Sequence, residues 1–171
     1  MKRIRDHKFA GIPLYLLIFF TINGCALLIG SDEDPTKKNT AIQFEAPTAP
    51  YSKLNVSSAD TVWQSSDTGN TIAINSTCQK KEEKDLNALE KNILLGVDHL
   101  NILSEKTQKY NGEDARRVVA EGKTEGIPIQ ADILIFDKGN CTYDLAYIAR
   151  KKTYDAEHVV FENFLTKFRA P

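Results

Sequence analysis

The spacing of apolar residues changes character repeatedly along this chain, and each change marks an element. Phe9 to Ile22 is almost wholly apolar, and the run continues through Ala26 to Ile29, reaching about 22 residues, long enough to cross a bilayer. Ser31 to Pro50 reverses this: charged residues, threonines and three prolines leave only Ile42 and Phe44 as strong apolar side chains. Such a stretch buries too little surface to offset its ordering entropy, so it reads as a disordered tether. The alternative is that Ile42 and Phe44 dock on the following domain as an edge strand.

From there the pattern is that of a folded domain. Thr61–Gln64 and Thr71–Asn75 are β-branched or aromatic runs separated by a turn containing Asp67 and Gly69, and Trp63 is expected in the core. Leu86, Leu89, Ile93, Leu94, Val97 and Leu100 form one stripe of an amphipathic helix, with Asp85 at its start. Strands are expected over 102–110 and 115–120, with breaks at Asn111-Gly112 and around Gly122 to Gly126. Ile127 to Phe136 alternates and then becomes apolar on both sides, and a tight Asp137–Asn140 connection leads to Cys141, Tyr143, Leu145 and Tyr147 on one face of a returning strand. Val160, Phe161, Phe164, Leu165 and Phe168, with Glu157, repeat at helical spacing and predict a final helix clamped on the sheet. The order ββαββββα predicts a single α+β domain over 51–171, an antiparallel sheet flanked by two long helices.

Composition narrows the setting. The formal net charge of −1 conceals Lys2, Arg3, Arg5 and Lys8 against Asp6 at the N-terminus, and the other 147 residues carry 18 basic and 22 acidic side chains. A mildly acidic domain without a basic stripe argues against nucleic acid as a partner. A basic start followed by an apolar run and small residues is the layout of a secretory signal peptide, and a permanent membrane helix is the competing reading. Ile22-Asn23-Gly24-Cys25 resembles the lipobox of bacterial lipoproteins, with an aliphatic residue at −3 and a small one at −1, although Asn23 is more polar than the usual −2 residue. The resemblance implies that 1–24 is a signal peptide, that Cys25 carries a lipid anchor, and that 25–50 tethers the domain to a membrane. Ala26, in place of the Asp associated with inner-membrane retention, implies an outer-membrane lipoprotein facing the periplasm; the alternative is inner-membrane anchoring by an uncleaved helix. The element order over about 55–170 resembles the PsbP-like fold, whose members mostly bind, scaffold or assemble.

Candidate chemistry is sparse. Cys78 and Cys141 lie near strand ends and are candidates for a disulfide in an oxidising compartment. His7, His99 and His158 have no His or Cys at i+3 or i+4, so no metal site is expected. Ser104 beside Glu105 lacks a supporting base, Asp132 and Asp144 on neighbouring strands are a conceivable carboxylate pair, and no phosphate loop or dinucleotide fingerprint is present, so no catalytic residue and no cofactor is assigned. The leading expectation is a non-catalytic, membrane-tethered envelope lipoprotein that binds a protein partner as an assembly accessory. An accessory or carrier in envelope lipid or small-molecule transport, using a helix–sheet cleft, and a cell-wall or lipid hydrolase are the alternatives.

Overall fold

A helix packs on each face of one sheet, because the central strands carry apolar side chains on both sides. A computed structural model describes residues 39–78 and 85–171. The strands are β1 (Tyr51–Leu54), β2 (Thr61–Ser65), β3 (Thr71–Cys78), β4 (Asp98–Tyr110), β5 (Glu113–Thr124), β6 (Ile127–Lys138) and β7 (Cys141–Arg150), and the helices are α1 (Leu86–Ile93) and α2 (Tyr154–Lys167). The sheet order is β1-β2-β3-β7-β6-β5-β4, every neighbouring pair antiparallel. Two meanders therefore meet at the β3–β7 pair, and the α1 connection carries the chain from the middle of the sheet to its far edge.

The register sorts the side chains. Leu134 and Phe136 lie opposite Leu145 and Tyr143, and with Ile72, Ile74 and Tyr147 they form the floor under α2. Phe161, Phe164, Leu165 and Phe168 of the α2 stripe close over it, each no more than 5% exposed. Ile133, Ile135, Ala131 and Ala146 face the other way, beneath Leu94 and the α1 residues Leu86, Leu89 and Ile93. Trp63 is in the α2 core, with its ring 5.7 Å from that of Phe164.

Two sequence expectations are corrected. A four-residue strand, β1, precedes the predicted hairpin; its middle residues Ser52 and Lys53 are exposed, so it has no apolar alternation to read. Only one helix is long: α1 has eight residues, capped at Asp85, whose side chain accepts from Asn87 N at 2.9 Å, and ending at Leu94. Leu100 of the expected stripe lies in β4 and is 43% exposed. The break expected around Gly122 to Gly126 is the Glu125-Gly126 turn, with β5 running on to Thr124 before it. Gly122 has another use: an added Cβ would fall 2.4 Å from Val97 Cγ1 and 2.7 Å from the Asp98 carbonyl oxygen, so its missing side chain is what admits the chain into β4.

The segment read as tether is docked from Asn39 onward. The Asn39 backbone N–H donates to Ser76 Oγ (2.8 Å) and its side-chain amide to Tyr143 OH (2.6 Å), and Gln43 exchanges two backbone hydrogen bonds with Arg169 (2.9 and 2.8 Å). Ile42 and Phe44 pack on the α2 core, with Phe44 edge-on to Trp63 at 5.4 Å. Those two side chains bring the apolar area that the rest of the tether lacks. Residues 1–24, the proposed anchor Cys25 and the tether up to residue 38 lie outside the described residues.

Candidate functional site

Beneath α2 the sheet carries two polar clusters. In the first, β5 supplies Arg117, β6 supplies Asp132, and α2 supplies His158 and Glu162 one turn apart. The Arg117 guanidinium grips Asp132 through two bonds, Nε to Oδ1 (2.8 Å) and Nη2 to Oδ2 (2.5 Å), and Nη2 also donates to Glu162 Oε1 (2.5 Å). His158 Nε2 lies 2.7 Å from Asp132 Oδ2, and the ring stacks on Tyr154 at 4.8 Å. Asp132 is wholly buried, whereas Glu162 reaches solvent. Hydrogen bonding to Asp132 is the main effect that raises the Arg117 pKa; burial opposes it, and Glu162 adds to the rise.

Asp132, His158 and Glu162 offer three ligand atoms within 4.8 Å of one another, a grouping that a search for His and Cys alone overlooks. The spacing of His158 and Glu162 at i, i+4 was its sequence signal. The arrangement does not fit a metal ion as it stands, because the Arg117 guanidinium already sits against both carboxylates. It resembles an oriented Asp–His base, yet among the described residues no serine, threonine or cysteine side chain hydrogen-bonds to His158. The geometry ties α2 to the sheet. The suggested Asp132–Asp144 pair does not form: Asp132 points to α2, while Asp144, opposite Ile135, faces the α1 side.

The second cluster centres on Glu157, buried in the first turn of α2. It accepts from Ser65 Oγ (2.8 Å), Thr68 Oγ1 (2.8 Å), Tyr51 OH (2.9 Å) and Asn70 Nδ2 (3.1 Å). Burial pushes its pKa up, but the donors, led by Thr68 and Ser65, together pull it below the usual value. Burial likewise drives the Tyr51 hydroxyl far above its normal range, helped by Glu157. The carboxylate thus joins the β1–β2 hairpin to α2 without a cation. In the sequence Glu157 reads only as a member of the helical stripe, with no sign of these partners.

Cys78 and Cys141 stand opposite each other in β3 and β7 and are joined by a disulfide, S–S 2.05 Å. Packing of the α2 phenylalanines on the sheet fills the place where a helix–sheet cleft was sought.

The outer surface is less finished. β4 ends the sheet, and every residue from Asp98 to Thr107 is exposed, including Leu100 (43%), Ile102 (40%) and Leu103 (47%). Two register shifts interrupt its pairing with β5 within this apolar half, and His99 has positive φ. Bulges and the flanking Lys106 and Lys109 are the usual guards of an open edge, but they leave the apolar side chains in solvent.

The architecture is PsbP-like. LpqN of Mycobacterium tuberculosis, involved in cell envelope biogenesis, matches with TM-score 0.59 and 10% identity over 81% of this chain and 86% of its own. Cyanobacterial PsbP (CyanoP) of Synechocystis matches with TM-score 0.55 and 10% identity over 80% of this chain and 91% of its own. PA94 of Pseudomonas aeruginosa, of unknown function, gives TM-score 0.50 and 8% identity over 75% and 87%. At such identities the likeness concerns the fold alone. No family model matches the sequence, and no curated protein does. Among the described residues no helix is long and apolar enough to cross a membrane.

Proposed function

We propose that this chain is a non-catalytic lipoprotein of the bacterial cell envelope, held by Cys25 at the periplasmic face of the outer membrane, that binds a protein partner along the outer edge of β4, which no described strand pairs. The observation that carries the reading is the outermost strand itself, whose apolar half is exposed in an otherwise well-packed sheet. An extended segment of a partner would take up the outward backbone groups of β4 and cover Leu100, Ile102 and Leu103, which is strand addition to a sheet edge. The lipobox resemblance supports the anchor, and LpqN, with the same fold, is involved in envelope biogenesis. The closed Arg117–Asp132–Glu162 charge cluster supports a structural rather than a catalytic use of the conspicuous polar residues.

Two measurements test this. Cys25→Ala moves the protein out of the lipidated, membrane-bound fraction; unchanged mass and fractionation would end the anchor claim. Capture of the tagged full chain from envelopes recovers a partner whose yield falls about tenfold for Ile102→Lys, as expected from placing a charge in a desolvated contact. Equal recovery by the variant would remove β4 from the account.

A further inference from the structure

At the end of the sheet where β6 begins and β7 finishes, an open groove of about 650 Å³ is lined by Ile127, Pro128, Arg150, Lys151 and Lys152. Its lining combines two apolar residues with three cations and includes no carboxylate among the described residues. Ile127 is 46% exposed beside the β5–β6 turn, and Arg150 and Lys152 are exposed at the turn that leads into α2. Lys151 is already engaged with Glu121 at 2.6 Å, and among the described residues no acid pairs with Arg150 or Lys152. A smaller depression of about 200 Å³ adjoins it, sharing Pro128 and Lys151 and adding His99, Gly122, Lys123 and the Lys151-paired Glu121.

We infer that this groove binds an anionic lipid, its acidic headgroup between Arg150 and Lys152 and the start of its acyl chain over Ile127 and Pro128. Both halves of the chemistry are needed. Cations alone would take any small anion, and an apolar floor alone would take any hydrocarbon; side by side they select an amphiphile with a negative head. The volume lies within the range of small-molecule sites. The sequence concealed the patch because its members come from two strand ends, Ile127-Pro128 and Arg150–Lys152, that only the β6–β7 register unites: Ile129 lies opposite Arg150. The inference does not rest on the partner proposed for β4: none of the five groove-lining residues belongs to that strand.

The test uses the full chain in neutral detergent micelles doped with diazirine-bearing lysophosphatidylglycerol, or with the corresponding lysophosphatidylcholine. After irradiation, adducts are mapped by peptide mass spectrometry. The acidic probe labels the Ile127-Pro128 peptide at least about fivefold more than the zwitterionic probe, and Arg150→Gln/Lys152→Gln lowers that labelling about tenfold. Both substitutions are at exposed positions, and circular dichroism checks that the fold is retained. Ile127→Ser also lowers the labelling, whereas millimolar inorganic phosphate competes only weakly. Equal labelling by the two probes, or labelling elsewhere on the chain, overturns the inference. Full competition by phosphate with no effect of Ile127→Ser overturns it too, since the groove would then read a free anion and not a lipid.

Discussion

Among the described residues Asp144 in β7 has no cationic partner, and replacing it should strengthen the protein at neutral pH. Burial lifts its pKa from an ordinary 3.8 to about 6; a hydrogen bond from Asn75 Nδ2 (3.2 Å) opposes the rise, and the charge of Asp60 adds to it. The folded state therefore holds this proton more tightly than the unfolded chain, so stability falls as pH rises from about 4 to about 6 and the full penalty remains above that. At about 1.4 kcal/mol per pH unit, the penalty is about 3 kcal/mol. Asp144→Asn removes the charge and keeps an oxygen to accept from Asn75. Urea denaturation at pH 4 and pH 7.5 should show the variant near parity with the parent at the lower pH and more stable by up to about 3 kcal/mol at the higher. A variant that is destabilised at pH 7.5, or whose advantage is the same at both pH values, would refute the reasoning.

Glu157 behaves in the opposite sense. Its folded pKa is lowered, so its contribution is present above the ordinary carboxyl range and is lost as pH falls through the folded value. Glu157→Ala leaves four donors without their acceptor and should cost about 3 kcal/mol or more by denaturant titration, with a shallower acid transition. Gly122→Ala should destabilise by about 1–3 kcal/mol through the contact with the Asp98 carbonyl, whereas Gly96→Ala, with open space around its Cβ, should be near neutral in the same assay. Removing the Cys78–Cys141 disulfide, which spans 63 residues, should lower stability by up to about 4 kcal/mol, seen as an earlier urea midpoint under reducing conditions.

The parts of the fold that show in the sequence are those whose local pattern and tertiary role agree. The β6–β7 hairpin announces itself because Ile133 and Ile135 serve one core while Leu134 and Phe136 serve the other, and α2 because its phenylalanines all face one floor. The end of α1 was hidden because Val97 and Leu100 happen to stay in helical phase beyond Leu94, although the backbone has already turned at Gly96 and entered β4. Strand β1 is held by pairing with β2 and by the Tyr51–Glu157 bond across 106 residues, neither of which leaves a local signal. The Arg117–Asp132–His158–Glu162 cluster, which unites two strands and a helix, leaves only the i, i+4 spacing of His158 and Glu162, and the groove at Arg150 and Ile127 leaves nothing. Long-range polar contacts have no period to detect.

The proposed docking edge on β4 can be tested in place. A photo-crosslinking amino acid placed at Ile102 of the full chain, expressed in its own cell envelope, tests it against the same probe at Lys53 on β1, the opposite and also exposed edge of the sheet. A docking edge gives a discrete higher-mass adduct from position 102, absent from position 53. Adducts of equal yield at both edges, or none at 102, would contradict it.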